Sequence, residues 1–192
     1  MEQPIEIRWH GRAGQGVVTA GELLAETAMK DGQYFQAFPD YGPERMGAPV
    51  KSYTRISKEP IEMHNQILEP DVVVVVNPNL IGIVDLIEGL DDQGVVVINT
   101  PLTPAEIREK LNLTDRPVKV WTVDATRIGQ ETIRRDIPST IMLGAIVRAT
   151  GLVQLESLNQ TVEEKLGAKL QRHIVEANLE GLKRAYAEVV EG

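Results

Sequence analysis

Residues Ile5-Glu6-Ile7-Arg8-Trp9 alternate apolar and polar side chains, the period of a strand with one face buried. From Gly16 to Lys30 the period lengthens. Val18, Leu23, Leu24, Ala28 and Met29 can share one side of a helix, and Asp31-Gly32 supplies its stop. Tyr34 to Phe38 predicts a second strand. Val50 to Ser57 alternates as an antiparallel or edge strand would. Val72 to Val76 and Gly94 to Asn99 are unbroken apolar runs, the pattern of central parallel strands buried on both faces. Leu80 to Leu90, between them, predicts a helix. Thr103-Pro104-Ala105-Glu106 combines an N-cap, a proline in the first turn and an acid, so a further helix starts there. Val118 to Val123 predicts another strand, and Asp124-Ala125-Thr126 opens the next helix.

The last third reads as helical. Ile141 to Val147 is apolar, Gly144-Ala145 permit close approach to another backbone, and Gly151 ends that helix. A short helix around Leu155 to Asn159 follows. Thr161-Val162-Glu163-Glu164 resembles a capping box opening the next one, with Gly167 as an interruption. The tail from Ala168 to Val190 is amphipathic through Leu170, Ile174, Leu179, Leu182 and Tyr186, a face suited to packing on the chain's own sheet. Apolar strands alternating with helices define an open, mostly parallel α/β sheet with helices on both faces. The whole chain, 1–192, forms one domain: a sheet core to about 135 and a helical part from about 136.

Composition narrows the chemistry. The net charge of −8 argues against broad nucleic-acid binding. No apolar window is long enough to span a membrane, and no signal peptide opens the sequence, so a cytoplasmic location is expected. With no cysteine, the chain has no disulfide, thiolate metal site, Cys-ligated cluster or thiol nucleophile. His10, His64 and His173 show no metal-binding spacing and read as structural or solvated.

Two stretches remain as candidate chemistry. Gly11, Gly14 and Gly16 fall between the first strand and the first helix. Glycine can take positive φ and bring the backbone close to a ligand, and a helix N-terminus favours an anion. Arg12 inside the turn suits the same ligand. The order of glycines is not that of the dinucleotide fingerprint: read from Gly14, its third position is Thr19. The second strand reaches Pro39 without the acid that would hold a ribose. A bare turn without a ligand is equally compatible with the pattern. The second stretch, Pro39 to Pro49, holds three prolines and two glycines together with Asp40, Tyr41, Glu44, Arg45 and Met46, and suits a ligand or subunit contact. Asn77-Pro78-Asn79 falls at the same end of a parallel sheet. Asn77 either orients a ligand or satisfies its own turn.

The segments Trp9-His10-Gly11-Arg12-Ala13-Gly14-Gln15-Gly16, Phe38 to Pro49 and Met142-Leu143-Gly144-Ala145 resemble the gamma subunit of the 2-oxoacid:ferredoxin oxidoreductases, in its pyruvate branch first and its 2-oxoisovalerate branch next. The resemblance spans essentially the whole chain. It implies a Rossmann-like, non-redox component of a complex that converts a 2-oxoacid and CoA into acyl-CoA, carbon dioxide and reduced ferredoxin or flavodoxin. It assigns thiamine diphosphate, Mg2+ and [4Fe-4S] clusters to the alpha, beta and delta partner subunits, and it implies association of this chain with coenzyme A. The residues that suit the CoA phosphates are Gly11, Arg12, Gly14, Gln15 and Gly16, with Arg45 as a second phosphate ligand or intersubunit ion pair. Tyr41 and Glu44 would shape the interface. No residue offers itself as catalytic acid, base or nucleophile, so the isolated chain is expected to be inactive. The competing readings are a free-standing NAD(P)-binding protein and a purely structural adaptor whose glycine turn is empty.

Overall fold

The computed structural model describes residues 3–40, 47–134 and 137–192. Strands β1 (Ile5–Arg12), β2 (Tyr34–Asp40), β3 (Pro49–Ser57), β4 (Val72–Val75), β5 (Val95–Asn99), β6 (Lys119–Val123) and β7 (Val190–Glu191) form a single sheet in the order β2-β3-β1-β4-β5-β6-β7. Its centre, β1-β4-β5-β6, is parallel. Antiparallel partners flank it: β3 on β1, β2 on β3, and β7 on β6.

Alternation along each strand sorts the side chains between two faces. Ile7, Trp9, Val72, Val74, Val76 and Val97 point into one core, shared with the helices α1 (Val17–Lys30), α3 (Ala125–Thr132), α4 (Pro138–Thr150), α5 (Leu155–Gly167) and α6 (Arg172–Glu188). Val73, Val75, Val96, Ile98 and Val120 point into the other, closed by α2 (Pro104–Lys110) and by Leu80, Leu86 and Leu90 from the segment between β4 and β5. The capping box on α2 forms as its sequence requires: the Thr103 hydroxyl faces the Glu106 amide, and the Glu106 carboxylate accepts from the Thr103 N–H at 2.8 Å. That contact also holds the exposed Glu106 carboxyl below its ordinary pKa.

The predicted helix over Leu80 to Leu90 does not form. Only Pro78–Leu80 makes a single 3₁₀ turn. Gly82 and Gly89 adopt φ of 78° and 71°, which stop a right-handed helix. The carbonyls of Leu86 and Glu88, which a helix would use internally, accept instead from the Arg8 guanidinium at 3.3 and 2.5 Å.

Other boundaries moved for identifiable reasons. The buried face of α1 runs through Val17, Ala20, Leu24 and Ala28, leaving Val18 half-buried and Met29 exposed. Instead of a short helix and a new start at Thr161, α5 is continuous. The Thr161 hydroxyl bonds back to the Ser157 carbonyl at 2.9 Å, while Asp31 at the end of α1 accepts from the Gln154 N–H at 2.7 Å. Helix α6 packs on α3, α4 and α5 rather than on the sheet, through Val175, Gly181, Leu182 and Ala185. Leu170 stays exposed. Strand β3 is second from the edge and buried on both faces from Ser52 to Ser57; Tyr53, Thr54 and Arg55 find internal hydrogen-bond partners, whereas the Ser52 hydroxyl has none among the described residues.

The chain leaves β1 through α1, runs to the edge as β2, returns beside β1 as β3, then crosses to β1's other side as β4. The order therefore reverses between β1 and β4. In open α/β sheets, the crevice beyond the carboxyl ends at such a reversal is where ligands bind.

Candidate ligand site

Strand β1 ends at Arg12, and the turn that follows is built by its own residues. Gly14 and Gly16 have φ of 92° and 74°, so both need the left-handed freedom of glycine. Gly11 serves differently. It is buried in β1 opposite Val50, and a Cβ on it would stand 2.3 Å from Val17 Cγ2, so its bareness lets α1 close onto the sheet. The Gln15 side chain folds back into the turn. Its Oε1 accepts from the Arg12 N–H at 2.8 Å and from Asn77 Nδ2 at 3.2 Å. The Asn77 oxygen accepts from the Asn79 N–H at 3.0 Å, so Asn77 satisfies its own turn and also braces the glycine turn. The flanks of the 39–49 stretch meet the turn as well: the Gly47 carbonyl accepts from Arg12 Nη1 at 2.8 Å, and the Ala48 carbonyl from the Ala13 N–H at 3.0 Å.

Two cavities open on either side of this turn. The first, about 340 Å³, lies over the start of α1 and is lined by Arg12, Gly14, Gly16, Val18, Asp40 and Lys51 among others. Gly16 is the N-cap of α1 and no side chain caps the helix, so its first amides are left for an outside acceptor. Lys51 makes no ion pair with any described residue, while Arg12 already spends one nitrogen on Gly47. Strand β2 runs two residues beyond the predicted Tyr34 to Phe38, so Asp40, expected in the loop, stands at its end and the strand does close on an acid. Asp40 accepts from the Tyr53 hydroxyl and from Gln66, both at 3.1 Å. Burial and this bond push the Tyr53 hydroxyl up to about 12. The second cavity, about 390 Å³, lies beyond the carboxyl ends of β4, β5 and β6 and is lined by Gln15, Asn77, Asn79, Asn99, Thr126 and Gln130 among others.

Of the residues singled out from sequence, Arg12, Gly14 and Gly16 line the first cavity, Gln15 lines the second, and Gly11 lines neither. Arg45, Tyr41 and Glu44 lie outside the described residues. Lys51 was missed because in sequence it is one polar position of an alternating strand. Its register opposite His10 and Asp40 is what brings it to the turn. The amides and hydroxyls of the second cavity come from strand ends far apart in sequence, so no local motif announces them.

His10 is buried behind the turn and accepts at Nε2 from Arg8 Nε at 3.1 Å, which leaves the ring proton on Nδ1. Burial first, then the charges of Arg8 and Lys51, depress it to about 3, so it stays neutral at ordinary pH. Among the described residues, no group of three His, Asp or Glu side chains converges as a metal site.

The architecture defines an α/β chain with a strand-order reversal beside β1, where two cavities lined by the glycine turn, Arg12, Lys51 and side-chain amides open. The chain belongs to the pyruvate ferredoxin/flavodoxin oxidoreductase family, whose model matches residues 6–188, and its relatives place it among the gamma subunits. It is 46% identical to the common gamma subunit of the pyruvate/ketoisovalerate oxidoreductases of Pyrococcus furiosus, covering 95% of each chain. It is 44% identical to the pyruvate synthase subunit PorC of Thermotoga maritima, covering 96% of this chain and 94% of that one. The crystal structure of PorC from Thermotoga maritima superposes with a TM-score of 0.86 at 39% identity, over 100% of this chain and 99% of that one. The 2-oxoglutarate:ferredoxin oxidoreductase of Magnetococcus marinus, solved with coenzyme A bound, shares the fold: the TM-score is 0.77 at 20% identity, over 97% of this chain and 31% of that one. The chain is thus a component of a multi-subunit oxidoreductase. No described helix is long and apolar enough to cross a membrane.

Proposed function

We propose that this gamma subunit holds the phosphates of coenzyme A in the cavity over the start of α1, while its alpha, beta and delta partners oxidise a 2-oxoacid, pyruvate first among them, and pass electrons to ferredoxin or flavodoxin. The observation that carries the reading is the meeting of Lys51, Arg12 and the uncapped first turn of α1 on one cavity. All three favour an anion, and a net-negative protein needs such a local exception to attract one. Bound there, CoA would supply the thiol that accepts the acyl group. The residues of this chain would only hold and orient it. Thiamine diphosphate, Mg2+ and the iron–sulfur clusters belong to the partners in this reading, because a chain without cysteine has no thiolate for a cluster.

Titration of CoA into the assembled complex tests it. Lys51→Met and Arg12→Ala are each expected to weaken binding by roughly tenfold or more, since one charge-assisted hydrogen bond is removed. Unchanged affinity in both would favour the purely structural adaptor. The isolated chain is expected to show no turnover with pyruvate, CoA and a viologen dye, and turnover would overthrow the division of labour. The NAD(P) reading has a geometric difficulty. The strand beside β1 on the α1 side is antiparallel β3, and Asp40 sits on edge strand β2 rather than on a parallel neighbour positioned for a ribose.

A further inference from the structure

The cavity beyond β4, β5 and β6 has a chemistry unlike its neighbour's. We infer that it is a second binding chamber of this subunit, shaped for an uncharged, amide-bearing chain, and that it receives the pantetheine arm of the carrier whose phosphates lie across the glycine turn. This rests on the CoA reading above. The argument begins with charge. Asp124, the one described carboxylate lining the chamber, accepts from the Arg127 N–H at 2.9 Å and lies 3.6 Å from its Nε. Arg127 is further matched by Glu131 and Glu188 at 3.3 and 2.8 Å. No unmatched charge among the described residues faces the chamber, so a phosphate gains little there.

What the chamber offers instead is neutral hydrogen bonding. Gln15 has its oxygen occupied twice, which leaves its Nε2 hydrogens for a guest. The Thr126 hydroxyl accepts from Asn99 Nδ2 at 2.9 Å and so retains its own hydrogen to donate. The side-chain amides of Asn79 and Gln130 make no hydrogen bond with any described residue and can both donate and accept. Donors and acceptors in this mixture match peptide-like amides, of which a pantetheine chain has two. Asn77 and Asn99 are buried, and both anchor the wall: Asn99 uses both amide hydrogens and its oxygen on protein partners, and Asn77 bridges Gln15 and the Asn79 N–H.

The two chambers flank consecutive residues of one turn. Gly14 lines the first and Gln15 the second. Gly14 is exposed, and nothing stands within 4 Å of where its Cβ would be. A linear ligand can therefore cross the turn over Gly14 with its anionic end above α1 and its neutral end above β4 to β6.

Calorimetry on the assembled complex with three probes, CoA, pantetheine and 3′-phospho-ADP, which lacks the arm, separates the possibilities. The double variant Asn79→Leu, Gln130→Leu alters two exposed side chains. It is expected to weaken CoA roughly tenfold, the worth of two neutral hydrogen bonds, and to leave 3′-phospho-ADP unchanged. Lys51→Met is expected to weaken CoA and 3′-phospho-ADP alike. If the double variant leaves CoA unchanged, or weakens CoA and 3′-phospho-ADP equally, the arm does not occupy this chamber and the inference is overturned while the phosphate reading stands. If the unaltered complex binds pantetheine and the double variant does not, yet 3′-phospho-ADP never binds, the phosphate reading falls and the chamber remains. Binding of none of the three probes would remove both.

Discussion

His10 sits in a row of buried polar side chains beneath β1, and its neutrality is a condition of the fold. Its folded-state value of about 3 lies below the 6.5 of an unhindered imidazole. Between those values the unfolded chain binds a proton that the folded chain does not. Stability is therefore unaffected by this group above about pH 6.5 and falls as pH drops from there toward 3, by about 1.4 kcal/mol per pH unit while one proton separates the states. Urea midpoints followed across that window should show the slope in the native chain and lose it in His10→Gln, which can still accept from Arg8. A second residue-scale expectation concerns Gly11. Gly11→Ala places a methyl group 2.3 Å from Val17 Cγ2 and should cost about 2 kcal/mol in a denaturant titration, before any ligand is considered. The glycine spacing was legible in the sequence, but the division of labour within it was not. Which glycine is bare for packing and which for positive φ depends on where α1 lands on β1, a distance no spacing encodes.

Elements were recovered where one local force dominates. The valine runs became β4 and β5, and Thr103-Pro104-Ala105-Glu106 became the start of α2, because burial on two faces and a reciprocal cap each settle the matter alone. Thr103→Ala is expected to cost about 1 kcal/mol, read as a shift in urea midpoint. The Leu80 to Leu90 segment failed because a distant side chain competes for its carbonyls, and two glycines at positive φ accept the resulting path. The Gly144-Ala145 pair was read correctly as a point of close approach. A Cβ on Gly144 would stand 2.0 Å from the Leu182 carbonyl oxygen in α6. Because that neighbour is backbone, Gly144→Ala must push α4 and α6 apart, and a loss of about 3 kcal/mol in stability is expected from thermal or chemical unfolding.

Across the whole molecule, the two faces of the sheet are held by different physics. Helices α1, α3, α4, α5 and α6 share an apolar core on one face, a more one-sided cover than the helices on both faces that the hydrophobic periods predict. Beneath β1 and β3 the other face is polar, and two buried arginines organise its cover. Arg55 pairs with Glu6 at 2.6 Å and donates to the Asn65 carbonyl at 2.8 Å, while Arg8 gathers the carbonyls of Leu68, Leu86 and Glu88. Arg8→Met would strand these oxygens, and a loss of about 3 kcal/mol is expected, with faster amide hydrogen exchange confined to residues 61–92. Neither arginine could be recognised in the sequence, since each looks like the outward position of an alternating strand. Because the arginines grip peptide oxygens, the cover is specified by its path and hardly by its lettering. Leu68 presents its side chain outward while its carbonyl is held, whereas Asn65 also lends its Oδ1 to Arg55 at 3.5 Å and the Glu88 carboxylate lies within electrostatic reach of Arg8. At positions such as Leu68 that surface is free to be rewritten to suit whatever neighbour it meets, with the scaffold underneath left indifferent to the change.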